Sequence, residues 1–250
     1  MVRLCVNADD FGVTEEQNKS IAELWCAGRI TSASIMVVTK AFPHAIELAK
    51  KHKMRVGLHL VLTNEAAIEE NYSPVSGHKC LTLDGDGKRF PHVFFVRFRG
   101  FLKEIQDEAL AQYEKLLATG IRPTHVDAHM YCVPQYDSSL EHALDPLYEK
   151  HKIRFVDYQK GKISDLVTQR RMLGWRGIGG ERYEFKLIRW RRLMKRLAAG
   201  TQYGNWVHVH CNSTFPEGTS RREEYKLLMS NEYLTRMKEN DVKLWYLRPL

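Results

Sequence analysis

The chain has 250 residues, with 38 lysines and arginines against 30 aspartates and glutamates, for a formal charge of +8. Hydrophobic residues make up 44% and charged residues 27%, which is too apolar for a disordered chain, and no apolar run reaches the roughly 18 residues of a membrane span. Five scattered cysteines, Cys5, Cys26, Cys80, Cys132 and Cys211, form no CxxC pair, which disfavours a cysteine zinc site and a disulfide framework and points to a reducing compartment, the cytoplasm.

Met1–Val6 leads straight into a strand-like segment rather than a leader peptide. Arg3–Ala8 reads as a buried strand. Thr14–Ala27 reads as a helix, with Thr14 as N-cap, Glu15, Glu16 and Gln17 in the first turn, and Gly28 as the stop. Ser34–Thr39 is a second strand and Phe42–His52 a helix with Pro43 near its start. Arg55–Leu62 is a third strand, Gln106–Thr119 a helix stopped by Gly120, and Pro123–Ala128 a fourth strand. Leu140–His151 is a helix and Ile153–Asp157 a fifth strand; Asn205–His210 and Val242–Leu247 are two more. Strand and helix in alternation predict parallel strands with helices outside, and the short apolar strands suit burial on both faces. A single α/β barrel has about this length. Two stretches interrupt the rhythm, roughly 64–91, rich in turn signals, and 161–204, basic and Gly-broken; both read as insertions in one domain.

Strand C-termini gather on one face of such a fold, and that face carries the site. The first strand ends in Asn7-Ala8-Asp9-Asp10-Phe11-Gly12. The third contains Gly57-Leu58-His59-Leu60. The fourth runs into Thr124-His125-Val126-Asp127-Ala128-His129, and a later one ends in Val207-His208-Val209-His210. Together they deliver carboxylates and imidazoles, a ligand set for a borderline divalent ion. Successive strand residues point to opposite faces, so Asp9 and Asp10 share a site only if the chain turns there, and Gly12 permits a turn. The economical division puts one aspartate on the metal and leaves the other as general base; the rival reading is a helix cap, which needs only one of them. His129 suits a ligand, with Asp127 orienting a histidine. His59, between two leucines, reads alone as a core histidine and gains weight from its neighbours. His210 is the better candidate for an acid or oxyanion role, His208 for a structural one. The arginine-rich 182–196 stretch reads as a solvated amphipathic helix suited to a subunit contact. It carries no nucleic-acid motif.

In this order and spacing the motifs resemble the YdjC-like carbohydrate deacetylases. Asn7–Gly12 matches the opening signature, Gly57–Leu60 and Thr124–His129 the next two, and His210 with Arg221-Arg222-Glu223-Glu224 the last block. Two positions depart: Met130–Val133 stand where the family continues with histidines, and Cys211-Asn212 where it often has Pro-Gly. The resemblance implies a distorted, TIM-like (β/α) barrel of about seven parallel strands, one domain over 1–250. It implies a divalent ion, magnesium or zinc, held by Asp10, His59 and His129, and hydrolysis of N-acetyl groups on amino sugars or oligosaccharides. Asp9 would be the base and His210, protonated, the acid or oxyanion partner. The split between Asp9 and Asp10 follows other metal-dependent polysaccharide deacetylases, and the reverse assignment stays open. The family and the basic amphipathic stretch are compatible with a homodimer; a membrane or nucleic-acid partner is not expected. The rival functions are a non-catalytic metal or sugar binder, or a basic interaction protein, and a metal-dependent phosphoester hydrolase.

Overall fold

In the computed structural model, residues 2–64, 72–82, 102–131, 142–153 and 205–247 are described. Strand β1 (Val2–Phe11) leads into helix α1 (Glu15–Cys26), β2 (Ser32–Ile35), α2 (Phe42–Lys51) and β3 (Val56–Leu60). Helix α3 (Leu102–Leu117), β4 (Val126–Ala128) and α4 (Asp145–His151) follow. The last elements are β5 (Asn205–Val209), α5 (Ser220–Met229), α6 (Asn231–Glu239) and β6 (Val242–Leu244). All pairings are parallel, in the order β4-β3-β2-β1-β5, and β6 pairs with the first residues of β1. The result is a curled half-barrel sheet with helices outside. Six of the expected strands are found; the seventh, 153–157, lies outside the described residues after Ile153. The insertion expected at 161–204, the helix expected within it at 182–196, and the 65–71 and 83–91 parts of the insertion expected at 64–91 also lie outside the described residues.

Local chemistry explains the boundaries. The Thr14 hydroxyl accepts from the Gln17 N–H at 3.1 Å, capping α1 as its sequence predicts. Pro43 sits in the first turn of α2. Helix α3 starts earlier than expected, at Leu102. The 72–82 segment is tied to α3: both Glu108 carboxylate oxygens accept backbone N–H groups, from Val75 at 2.9 Å and Ser76 at 2.8 Å. Among the described residues no helix is long and apolar enough to cross a membrane, and Cys5, Cys26 and Cys80 form no disulfide.

The two faces of β1 differ. Leu4, Val6 and Ala8 join the main core with Ile21 and Leu24 of α1, Ala45 of α2 and Ile105 of α3. Burying each large aliphatic side chain there is worth about 1.5–3 kcal/mol. The alternate row points inside the curl: Cys5 packs with Trp206 and Leu247, while Asn7 and Asp9 open a buried polar seam towards the C-terminal strand ends.

Candidate metal centre

The strand alternation that turns Asp9 inward should turn Asp10 outward. It does not, because Asp10 adopts a left-handed backbone (φ 63°) and the β1–β2 register shifts between Ala8 and Phe11. Aspartate tolerates this region better than most residues. The sequence placed the turn at Gly12, which is also left-handed (φ 113°), but the decisive residue is Asp10 itself. Helix α1 fixes the turn: Gln17 Nε2 donates to the Asp10 carbonyl at 3.1 Å, and the Gly12 N–H donates to Asn18 Oδ1 at 2.6 Å.

Three strands then converge on Asp10. His59 on β3 and Asp127 on β4 are register partners, so their side chains meet, and His59 Nδ1 donates to Asp127 Oδ1 at 2.8 Å. That bond aims His59 Nε2 at Asp10 Oδ1, 3.4 Å away. His129, just beyond β4, places Nδ1 at 3.4 Å from the same oxygen. Donor atoms of Asp10, His59 and His129 all lie within 4.8 Å of one another. Tyr72 packs edge-on against the His129 ring. Asp10 Oδ1 is buried and accepts no hydrogen bond of good geometry, although a buried carboxylate oxygen is costly to leave unsatisfied. Two imidazole nitrogens and one such oxygen fit a divalent ion of the zinc type. Asp9, His59 and Asp127 form a second close group, but there His59 Nδ1 is already bonded to Asp127 and Asp9 Oδ1 already accepts from Asn7.

The other Asp10 oxygen, Oδ2, accepts from Arg221 Nη1 at 2.8 Å. Burial would raise the Asp10 pKa, but the Arg221 charge, and then the imidazoles of His129, His210 and His59, hold it well below the usual carboxylate range. Asp9 goes the other way. Burial, and then the charges of Asp127 and Asp10, push it well above that range, against the pull of His59 and a bond from Asn7 Nδ2 to its Oδ1 at 2.7 Å. Burial would lower His59, yet Asp127 and Asp10 raise it well above the ordinary histidine value. The two adjacent aspartates are thus driven apart in acidity by their surroundings.

His210 Nε2 stands 3.8 Å from Asp9 Oδ2 and 3.9 Å from Asp10 Oδ2. Its backbone N–H donates to the buried Glu224 of α5 at 2.7 Å. Its side chain remains 33% exposed, so it is reachable from outside. Desolvation by its neighbours, with Arg221 adding to it and Asp10 opposing, takes its pKa down to about 3. Burial likewise brings His208 down to about 4, against the Asp127 charge.

Sequence reasoning had placed Asp9, Asp10, His59, Asp127, His129 and His210 here, and the structure brings them together. It missed the residues that organise them. Asn7 Nδ2 also donates to Ser34 Oγ at 2.9 Å and lies 3.4 Å from Asp127 Oδ2, joining the two carboxylates through one amide. Gly57 makes room for His125: a Cβ there would stand 2.4 Å from the His125 ring. Arg221 was noted only as part of a motif; its signal was a cation at the start of a segment whose inward residues include Glu223 and Glu224.

The family model described as YdjC-like protein matches residues 3–239. The chain belongs to the YdjC-like family. It is similar to a carbohydrate deacetylase of Brevibacillus brevis, with 40% identity over 129 residues, 51% of this chain and 49% of that protein. The chain thus spans about half the length of the curated relatives it matches. In structure it is similar to an Enterococcus faecalis protein described as a cellobiose-phosphate cleavage protein, with a TM-score of 0.77 and 21% identity over 98% of this chain and 97% of that one. It also resembles the T48 deacetylase solved with substrate, with a TM-score of 0.50 and 11% identity over 98% and 88% of the two chains. At these identities the two structures establish the shared parallel α/β fold.

Proposed function

We propose that this chain is a metal-dependent hydrolase that removes N-acetyl groups from amino sugars or their oligosaccharides. The observation that carries the reading is Asp10 Oδ1, sealed from water and unbonded between two imidazole nitrogens at 3.4 Å each. Family membership and relatives named carbohydrate deacetylase give that donor set its substrate class. Asp10, His59 and His129 would hold the ion. When bound, a divalent cation polarises an acetamide carbonyl and lowers the pKa of water, contributions worth several kcal/mol.

The remaining steps fall to this chain's own side chains. Asp127 fixes the His59 ring through Nδ1, so Nε2 is the nitrogen left for the ion. Arg221 occupies one Asp10 oxygen and leaves the other for it. Asp9, held by Asn7 and poised high by burial, accepts the proton of the attacking water; a cation in the neighbouring cluster favours its ionised form. His210, open on one side and 3.8 Å from Asp9 Oδ2, is placed to protonate the departing amine or to stabilise the developing oxyanion. An amine leaves an amide poorly unless protonated, so both proton steps are needed.

Asp9→Asn should cut acetate release from N-acetylglucosamine oligomers by about 10²–10⁴-fold, while calorimetry shows the ion still bound. Near-normal turnover would remove Asp9 from this role. Acetate release indifferent to a chelator would remove the metal.

A further inference from the structure

Phe215 lies on the loop between β5 and α5, on the site's face, and 39% of its surface is exposed. One exposed apolar ring is ordinary; its seat is not. The ring lies over the Arg221 guanidinium, 5.9 Å from the ring centre to the central carbon, and that same guanidinium donates to Asp10 Oδ2 at 2.8 Å. A single side chain thus separates the ring from the metal cluster. The loop is tied down on both sides of it. Before Phe215, Asn212 Oδ1 accepts from the Thr214 N–H at 2.9 Å and its hydroxyl at 2.8 Å, and the Ser213 N–H donates to Ser20 of α1 at 2.9 Å. After it, the Pro216 carbonyl accepts from the Thr219 hydroxyl at 2.7 Å, and the Gly218 N–H donates to Glu223 at 3.1 Å. Glu217 is paired with Lys226 and with Arg222. A large apolar face is held in water by a rigid frame beside the polar cluster, so little ordering cost remains when a ligand covers it.

We propose that Phe215 is a stacking platform for a pyranose ring of the substrate, making it a specificity residue of this site. The inference rests on the deacetylase reading. Pyranoses present an apolar C–H face and a polar rim, which suits an aromatic ring bordered by charged groups. Among the described residues, the side of the cluster where His210 and Phe215 are exposed is open to an incoming sugar.

The test compares wild type, Phe215→Ala and Phe215→Trp on N-acetylglucosamine oligomers, with metal affinity measured separately using the ion alone. Phe215→Ala should raise KM on the order of tenfold, with a much smaller change in kcat and no change in metal affinity, and Phe215→Trp should restore KM. An unchanged KM in Phe215→Ala would overturn the proposal. So would a joint loss of kcat and metal affinity, since the ring would then only brace Arg221. If wild type releases no acetate, the deacetylase reading fails separately. Calorimetric binding of the same oligomers then decides the platform: affinity lost in Phe215→Ala supports it, and equal or absent binding in both proteins overturns it.

Discussion

On the β3–β4 side of the aspartate pair the polar groups are sealed, with His59 2%, His129 3% and Asp127 0% exposed. On the β5–α5 side, the side chains of His210 and Arg221 are 33% and 22% exposed, and Phe215 sits further out. Both flanks touch the same carboxylates, yet they answer to different physics. On the sealed flank each donor meets a fixed acceptor in the neighbouring strand, and removing one partner leaves the other buried and unsatisfied, at a cost of about 1–3 kcal/mol. On the open flank water can replace a lost partner, so groups there are free to exchange protons and meet a ligand. The contrast assigns holding to one side and handling to the other.

The largest expected effect lies on the sealed side. Asp127→Asn weakens the grip on the His59 ring and should lower metal affinity about 10–100-fold; titration calorimetry giving an unchanged affinity would break the contrast at its strongest point. Next comes Gly57→Ala, which drives a methyl group into the His125 ring and should cost about 1–3 kcal/mol of stability by overpacking. Denaturant unfolding checks it, and a wild-type midpoint would mean that this flank yields more readily than its packing implies.

The smallest effect is a pH dependence traced to β5. His208 falls from 6.5 to about 4 on folding. Between those values the unfolded chain takes up a proton that the folded chain refuses, so the contribution is complete above about 6.5 and is lost as the pH falls towards 4. His59, raised by folding, has the opposite sign: its contribution is present below 6.5 and lost as pH rises through its folded value. Thermal melts of metal-free protein should therefore show an acid limb that His208→Gln makes shallower, the remainder coming from His210, which burial lowers in the same direction. A parallel limb in the variant would place the acid sensitivity elsewhere.

The parallel strands and most of the cluster were legible because short apolar strands ending in Asp or His are a strong local pattern, and a parallel sheet collects such ends on one face; the order of the strands was not. Helices α5 and α6 were not read. The inward face of α5 carries Glu223 and Glu224 as well as Leu227 and Leu228, so its apolar period is diluted by carboxylates that serve backbone N–H groups of Gly218 and His210. Asn7, Ser34 and Arg221 escaped for a related reason: a polar residue that bonds another side chain far along the chain leaves no mark on its own neighbours. The lowered pKa of His210 depends on desolvation and the Arg221 charge, which are properties of assembled surroundings.

The left-handed backbone at Asp10 governs how the pair can be mutated. A β-branched replacement resists that conformation, so it would relax the bend and rotate Asp9 away, erasing two carboxylates with one codon. Asparagine keeps the bend while discarding the charge, and glycine keeps the bend while discarding the side chain. Only those two exchanges interrogate residue 10 without silently editing residue 9.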